Sequence, residues 1–156
     1  MFDKITKFAV KTGTGKSSDS ALNAIDNAML DAEVGDLNLI RVSSVLPEDI
    51  EKIEKFDYDT GDFRACVIAQ AVGIMGEAAA GIAYGFRDDG EGGYVAEHTA
   101  TRKSIDMDEF EEILINKLKN MAESRGVSLK EINTECTLIE AEEDEYECSI
   151  AVLVYL

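Results

Sequence analysis

Three short stretches of this 156-residue sequence hold residues whose type and spacing could do chemistry. The first is TGTGKSS at 12–18, where Gly15, Lys16 and Ser17 stand ahead of a helical pattern, as at the end of a phosphate-binding loop. The full motif needs a glycine five positions before Gly15, where this chain has Val10, and its helix starts at the lysine so that terminal amides can cradle phosphate. Here a polar spacer follows, and the stretch reads as a lysine-bearing loop. The second is Asp26, which falls among Leu22, Ile25, Met29 and Leu30 on the apolar stripe of a helix expected over 20–33. An inward carboxylate needs a cation, several donors or a wet cavity, unless it sits at the edge of the stripe. The third is the Ser43–Ser44 pair at the end of a branched apolar segment, just before Pro47, the only proline. Alone, a serine dipeptide means a turn.

The elements that must position these residues follow from periodicity and punctuation. A short strand is expected over 5–11, then the loop, then the helix capped by Asp19 or Ser20 and ended by Gly35. Residues 37–45, LNLIRVSSV, read as one strand stopping near Ser44. Residues 48–62 read as a charged loop with a helical turn. Strands near 64–72, 79–87 and 93–101 follow, the last two joined by the glycine-rich turn DDGEGG at 88–93. Met107, Phe110, Ile113, Leu114, Leu118 and Met121 recur at helical spacing, which predicts a helix over 106–125 with Gly126 at its C-terminal cap. Two strands near 132–141 and 146–155, separated by EEDE, complete an α/β sandwich of mainly antiparallel strands with two principal helices in a single domain.

Composition narrows the function classes. With 32 acidic against 15 basic side chains, a formal net charge of −17 repels phosphate backbones and anionic lipid surfaces, which argues against nucleic-acid and membrane partners. The start MFDKITKFAV lacks the pattern of a secretory signal, so a cytoplasmic location is expected. Cys66, Cys136 and Cys148 form no C-x-x-C pair and imply neither a disulfide framework nor a metal site.

Read together, LNAID at 22–26 and GDLNLIRVSSVLP at 35–47 resemble the small pyruvoyl-dependent arginine decarboxylases, and the likeness continues more loosely to Tyr94-Val95-Ala96-Glu97. The resemblance implies a zymogen that cuts itself between Ser43 and Ser44 into a β chain of 1–43 and an α chain of 44–156. Ser44 becomes a covalent pyruvoyl group, with no pyridoxal phosphate and no metal. It further implies that the pyruvoyl group forms a Schiff base with L-arginine and releases carbon dioxide and agmatine, a step toward polyamines. Asn38 matches the asparagine that assists processing or catalysis, and Glu97 the acid that returns a proton. Asp26 matches the carboxylate that grips the guanidinium, with Leu22, Gly35 and Leu37 lining the pocket. Without the resemblance, Glu97 is an ordinary strand glutamate, and His98 points to the other face as a structural or surface residue.

Asn38 and Ser44 share a face of a regular strand but lie about 20 Å apart along it. Either the strand bends or Asn38 serves a neighbouring chain, in keeping with the family's trimers and their intersubunit sites. A pyruvoyl decarboxylase of another amino acid, an unprocessed ligand-binding homologue and a nucleotide-binding domain are the alternatives.

Overall fold

A computed structural model describes residues 4–156, so the first three residues of the expected 1–43 piece lie outside it. In chain order the elements are β1 (Lys7–Ser17), α1 (Ala21–Asp31), β2 (Asn38–Arg41), β3 (Val45–Leu46), β4 (Glu51–Lys52), β5 (Phe63–Arg87), β6 (Gly93–Arg102), α2 (Met107–Glu123) and β7 (Leu129–Tyr155). Their sheet is mixed but mostly antiparallel. Its path runs β3-β6-β5-β7-β1-β4, and β2 joins β5 in parallel.

The sheet makes a sandwich because its two longest strands bend together. β5 turns at Met75 and Gly76, both with positive φ, and its pairing with β7 shifts register between Ile74 and Gly76. Opposite this point β7 carries the extra residues 142–145, so residues 66–74 pair with 146–154 and residues 76–87 with 129–141. The period-2 alternation of strands then sorts side chains into layers. Val67 and Ala69 from one half of β5, Ile82 and Tyr84 from the other, and Phe8, Leu153 and Val95 meet between the two halves. Cys66, Ile68, Ile150 and Val152 face α1, while Ala83, Tyr94 and Ala96 face Leu114 and Leu118 of α2. The result is a helix, two half-sheets and a helix. Among the described residues no helix is long and apolar enough to cross a membrane.

Several expectations need correction. TGTGKSS is no loop, because β1 runs through it to Ser17. On its α1 side Gly13 and Gly15 lie so close to the helix that a Cβ would collide with the carbonyl oxygens of Ala28 and Ala24. These glycines admit a helix backbone rather than a phosphate. The expected strands at 64–72 and 79–87 are halves of β5, and the last two are halves of β7. No helical turn occurs in 48–62, where the chain forms the two-residue β4 beside β1. α1 stops at Asp31, with Glu33 rather than Gly35 taking the left-handed conformation after it (φ 61°).

Candidate active site

The expected single strand over 37–45 is two strands in different half-sheets. β2 lies along the start of β5, with Asn38 opposite Phe63 and Arg41 opposite Cys66, and β3 lies on β6, with Val45 opposite Tyr94. Between them residues 42–44 cross from one half-sheet to the other. The crossing is anchored on both sides: the Val42 N–H donates to the Cys66 carbonyl at 3.0 Å, and the Val95 N–H donates to the Ser44 carbonyl at 3.1 Å. Tyr155 holds β3 from the core by donating its hydroxyl to the Val45 carbonyl at 2.8 Å. Burial, and secondarily Cys66, pushes that phenol up to about 12, so it remains a donor.

Ser44 is half-buried at the middle of this crossing and Ser43 is exposed. The Val45 N–H donates to the Ser43 carbonyl oxygen at 3.1 Å, an i+2 to i bond that makes Ser44 the central residue of a three-residue turn. The carbonyl of the Ser43–Ser44 peptide thus faces a backbone donor while the Ser44 hydroxyl stands one residue away. Beside the turn opens a hollow of about 480 Å³ with Ser43 in its wall, lined also by Ile40, Val42, Val45, Phe63 and Tyr155. Phe63 is 66% exposed and Val45 50%, so the wall is apolar and open. A small 2-oxoacyl group next to Ser43 would meet few competing polar groups in this hollow.

Glu97 is two residues beyond Val95 on β6, about 7 Å along the strand from the residue that holds Ser44. It is exposed, so burial within one chain does not give it the apolar setting expected of the acid. It lines a second cavity of about 360 Å³ together with Arg41, Gln70, Thr99 and Lys117. Arg41 donates to the Ile68 carbonyl at 3.1 Å across this cavity. The Cys66 thiol is pushed up to about 11, first by burial, with Arg41 opposing and Glu97 adding to the shift. His98 faces α2, as the alternation predicts: its ring lies 4.7 Å from that of Phe110 and its Nδ1 is 2.9 Å from Lys117 Nζ. Burial, then the charges of Lys117 and Arg102, hold it below the usual imidazole range.

None of the remaining candidates lines the hollow beside Ser43. Asp26 is exposed, contrary to the expected inward placement. The face of α1 that is fully buried carries Ala24 and Ala28, since the glycines of β1 leave room only for small residues there. Leu22 and Leu30, four residues to either side of Asp26, are 73% and 54% exposed. Leu37 packs into the core under α1, and Gly35 sits against the side chain of Leu30. Asn38 is exposed and donates its amide to the Gly61 carbonyl at 2.8 Å. The candidates therefore form two groups, Ser43, Ser44 and Glu97 around the crossing, and Leu22, Asp26 and Asn38 on exposed surface. Sequence reasoning missed the Val45 N–H, Arg41 and Lys117. Only Lys117 left a trace, seven residues from Phe110 and so on the same side of α2.

Comparison with known proteins bears on this arrangement. The family model described as pyruvoyl-dependent arginine decarboxylase matches residues 7–156. A pyruvoyl-dependent arginine decarboxylase of Methanopyrus kandleri is 32% identical over 149 residues, spanning 96% of this chain and 95% of the relative. Relatives of the same name from Methanothermobacter thermautotrophicus (30% over 133 residues, 85% of this chain and 86% of the relative) and Thermococcus kodakarensis (32% over 138 residues, 85% and 84%) are similar. With a family match over nearly its whole length, the chain belongs to the pyruvoyl-dependent arginine decarboxylase family.

Proposed function

We propose that this chain cuts itself between Ser43 and Ser44 and, with the carbonyl group that Ser44 becomes, converts L-arginine to agmatine and carbon dioxide. The observation that carries the reading is the Val45 N–H directed at the Ser43 carbonyl oxygen. When the Ser44 Oγ attacks the Ser43 carbonyl carbon, negative charge collects on that oxygen, where a fixed donor is worth most. The C–N bond then breaks, the hydroxyl proton passes to the departing nitrogen, and an ester links Ser43 to the Ser44 Oγ. Loss of the Ser44 α-proton and of the Ser43 carboxylate leaves a dehydroalanine, and water replaces its nitrogen, released as ammonia, to give the pyruvoyl group. The pieces are 1–43 and 44–156.

The pyruvoyl group supplies an electrophilic carbonyl and an electron sink. The chain's own residues do the rest. The apolar side chains of Val42, Val45 and Phe63 keep competing polar groups away from that carbonyl, and Glu97 returns the proton to the substrate carbon after carbon dioxide leaves. Asp26 takes the guanidinium through two parallel hydrogen bonds, a match an ammonium does not offer, and so selects arginine over lysine. Because Asp26, Leu22 and Asn38 stand exposed away from the crossing, a neighbouring copy completes each site, in a trimer of cleaved chains. Incubation with carboxyl-labelled arginine tests the activity: the protein releases label and forms agmatine, and Ser44→Ala does neither. Release from aspartate or histidine in preference to arginine would contradict the role given to Asp26.

A further inference from the structure

Among the described residues, the crossing at 42–44 leaves one edge of β6 without a strand partner beyond Val95. Val95 and Glu97 are two residues apart, so both turn their backbone groups to that edge. Val95 meets Ser44 there, but Val42, which would continue the ladder opposite Glu97, gives its N–H to Cys66 on the other half-sheet. The Glu97 carbonyl is taken instead by Lys117, whose Nζ lies 3.4 Å from it. The same ammonium lies 2.9 Å from His98 Nδ1. Lys117 is always a donor in this pair, so Nδ1 accepts and the ring proton sits on Nε2. The His98 ring rests on Phe110, two turns before Lys117 on α2, and α2 is fixed to the sheet by the fully buried Leu114 and Leu118. A rigid helix thus grips the backbone at Glu97 from the side that the crossing strand leaves empty.

We propose that Lys117 is a positioning residue for the decarboxylation: its ammonium, shared between the Glu97 carbonyl and His98 Nδ1, fixes the open edge of β6 and with it the place of the Glu97 carboxyl. This rests on Glu97 being the proton donor. An unpaired edge frays at low cost, and an acid displaced by about 1 Å from its target loses roughly 10²-fold in rate. The bonds of Lys117 are solvent-exposed, so their contribution is to geometry more than to stability.

The test uses full-length, self-cleaved protein. Lys117→Met is expected to cleave as completely as wild type and to keep KM for arginine within about twofold, while kcat falls about tenfold. Lys117→Arg, which still donates to both acceptors, restores kcat to within about threefold of wild type. His98 is the only histidine, so its nitrogen resonances report the contact independently of turnover. Wild type shows a proton on Nε2, and Lys117→Met raises the His98 pKa toward its ordinary 6.5 as a neighbouring charge is removed. If Lys117→Met does not fold, His98→Phe keeps the ring on Phe110 but removes the acceptor, and is expected to lose kcat severalfold with normal cleavage. Unchanged kcat in either folded variant, no recovery in Lys117→Arg, or a proton on His98 Nδ1 overturns the proposal. Glu97→Gln separates the two readings: if it loses kcat and Lys117→Met does not, only the role of Lys117 fails, and if it keeps wild-type kcat, the role of Glu97 fails and that of Lys117 with it.

Discussion

The backbone N–H of Val45 lies 3.1 Å from the carbonyl oxygen of Ser43, across the turn that has Ser44 at its centre. This N–H makes no ladder bond to β6, so its removal leaves the pairing of β3 intact. Val45→Pro deletes the donor, and self-cleavage should slow by roughly 10²–10³-fold, the usual loss for one oxyanion donor. Val45→Ala should cleave at close to the wild-type rate. The fraction of intact chain, followed over time after synthesis, measures both, and equal rates for the two variants would remove Val45 from the mechanism.

Asp26 and Ser44 sit in separate groups on one chain, so the account requires them to meet between chains. Asp26→Asn should raise KM for arginine by about 10- to 100-fold, corresponding to loss of a charged hydrogen bond, and should narrow the preference over lysine. Co-expression of Asp26→Asn with Ser44→Ala should assemble some sites from two unaltered halves and recover activity well above either variant alone. Activity no greater than the sum of the two would mean that each chain builds its own site.

The inner row of the sandwich contains a carboxyl that the chemistry does not use. Glu147 is 1% exposed, beside Gly73 and across from Lys16, and burial raises its pKa from the ordinary 4.5 against the opposing pull of a backbone donor and Lys16. A group whose folded pKa is raised adds stability fully present below its unfolded value and lost as pH rises through the folded one. Glu147→Gln should therefore match the parent near pH 4 and exceed it above the raised pKa. Urea unfolding of the uncleaved Ser44→Ala chain, with and without the second substitution, measures this at fixed concentration. A parent that gains on the variant as pH rises would show that the carboxylate is favourably paired.

Gly13 has no room for a side chain against Ala28 and Ala32. Gly13→Ala should lower stability by about 1–3 kcal/mol through overpacking, visible as a lower melting temperature of the uncleaved chain. An unchanged melting temperature would mean that α1 lies farther from β1 than the structure has it.

What the sequence disclosed was local, and what it withheld depended on distant partners. α2 was legible because Phe110, Leu114 and Leu118 repeat at helical spacing behind the capping residue Asp106, and the β5–β6 turn because Gly90 and Gly92 take positive φ. α1 was found, and Ile25 and Met29 of its expected stripe do pack against the core, but its fully buried positions are Ala24 and Ala28. Its apolar bulk, Leu22 and Leu30, lies outside, and only its contact with Gly13 and Gly15 explains why alanines are buried instead. The same glycines resembled a phosphate loop because a strand that must admit a helix and a loop that must admit a phosphate both discard Cβ. The Ser43–Ser44 pair stood out only through family resemblance. Its turn depends on Val95 and Cys66, fifty-one and twenty-two residues beyond Ser44, a relation no local pattern encodes.

Denaturing mass spectrometry of protein that decarboxylates arginine tests the central claim most directly. The account predicts two chains, residues 1–43 and residues 44–156, the second beginning with a pyruvoyl group, and one intact 17.0 kDa chain for Ser44→Ala. Active protein that remains a single 17.0 kDa chain would contradict it.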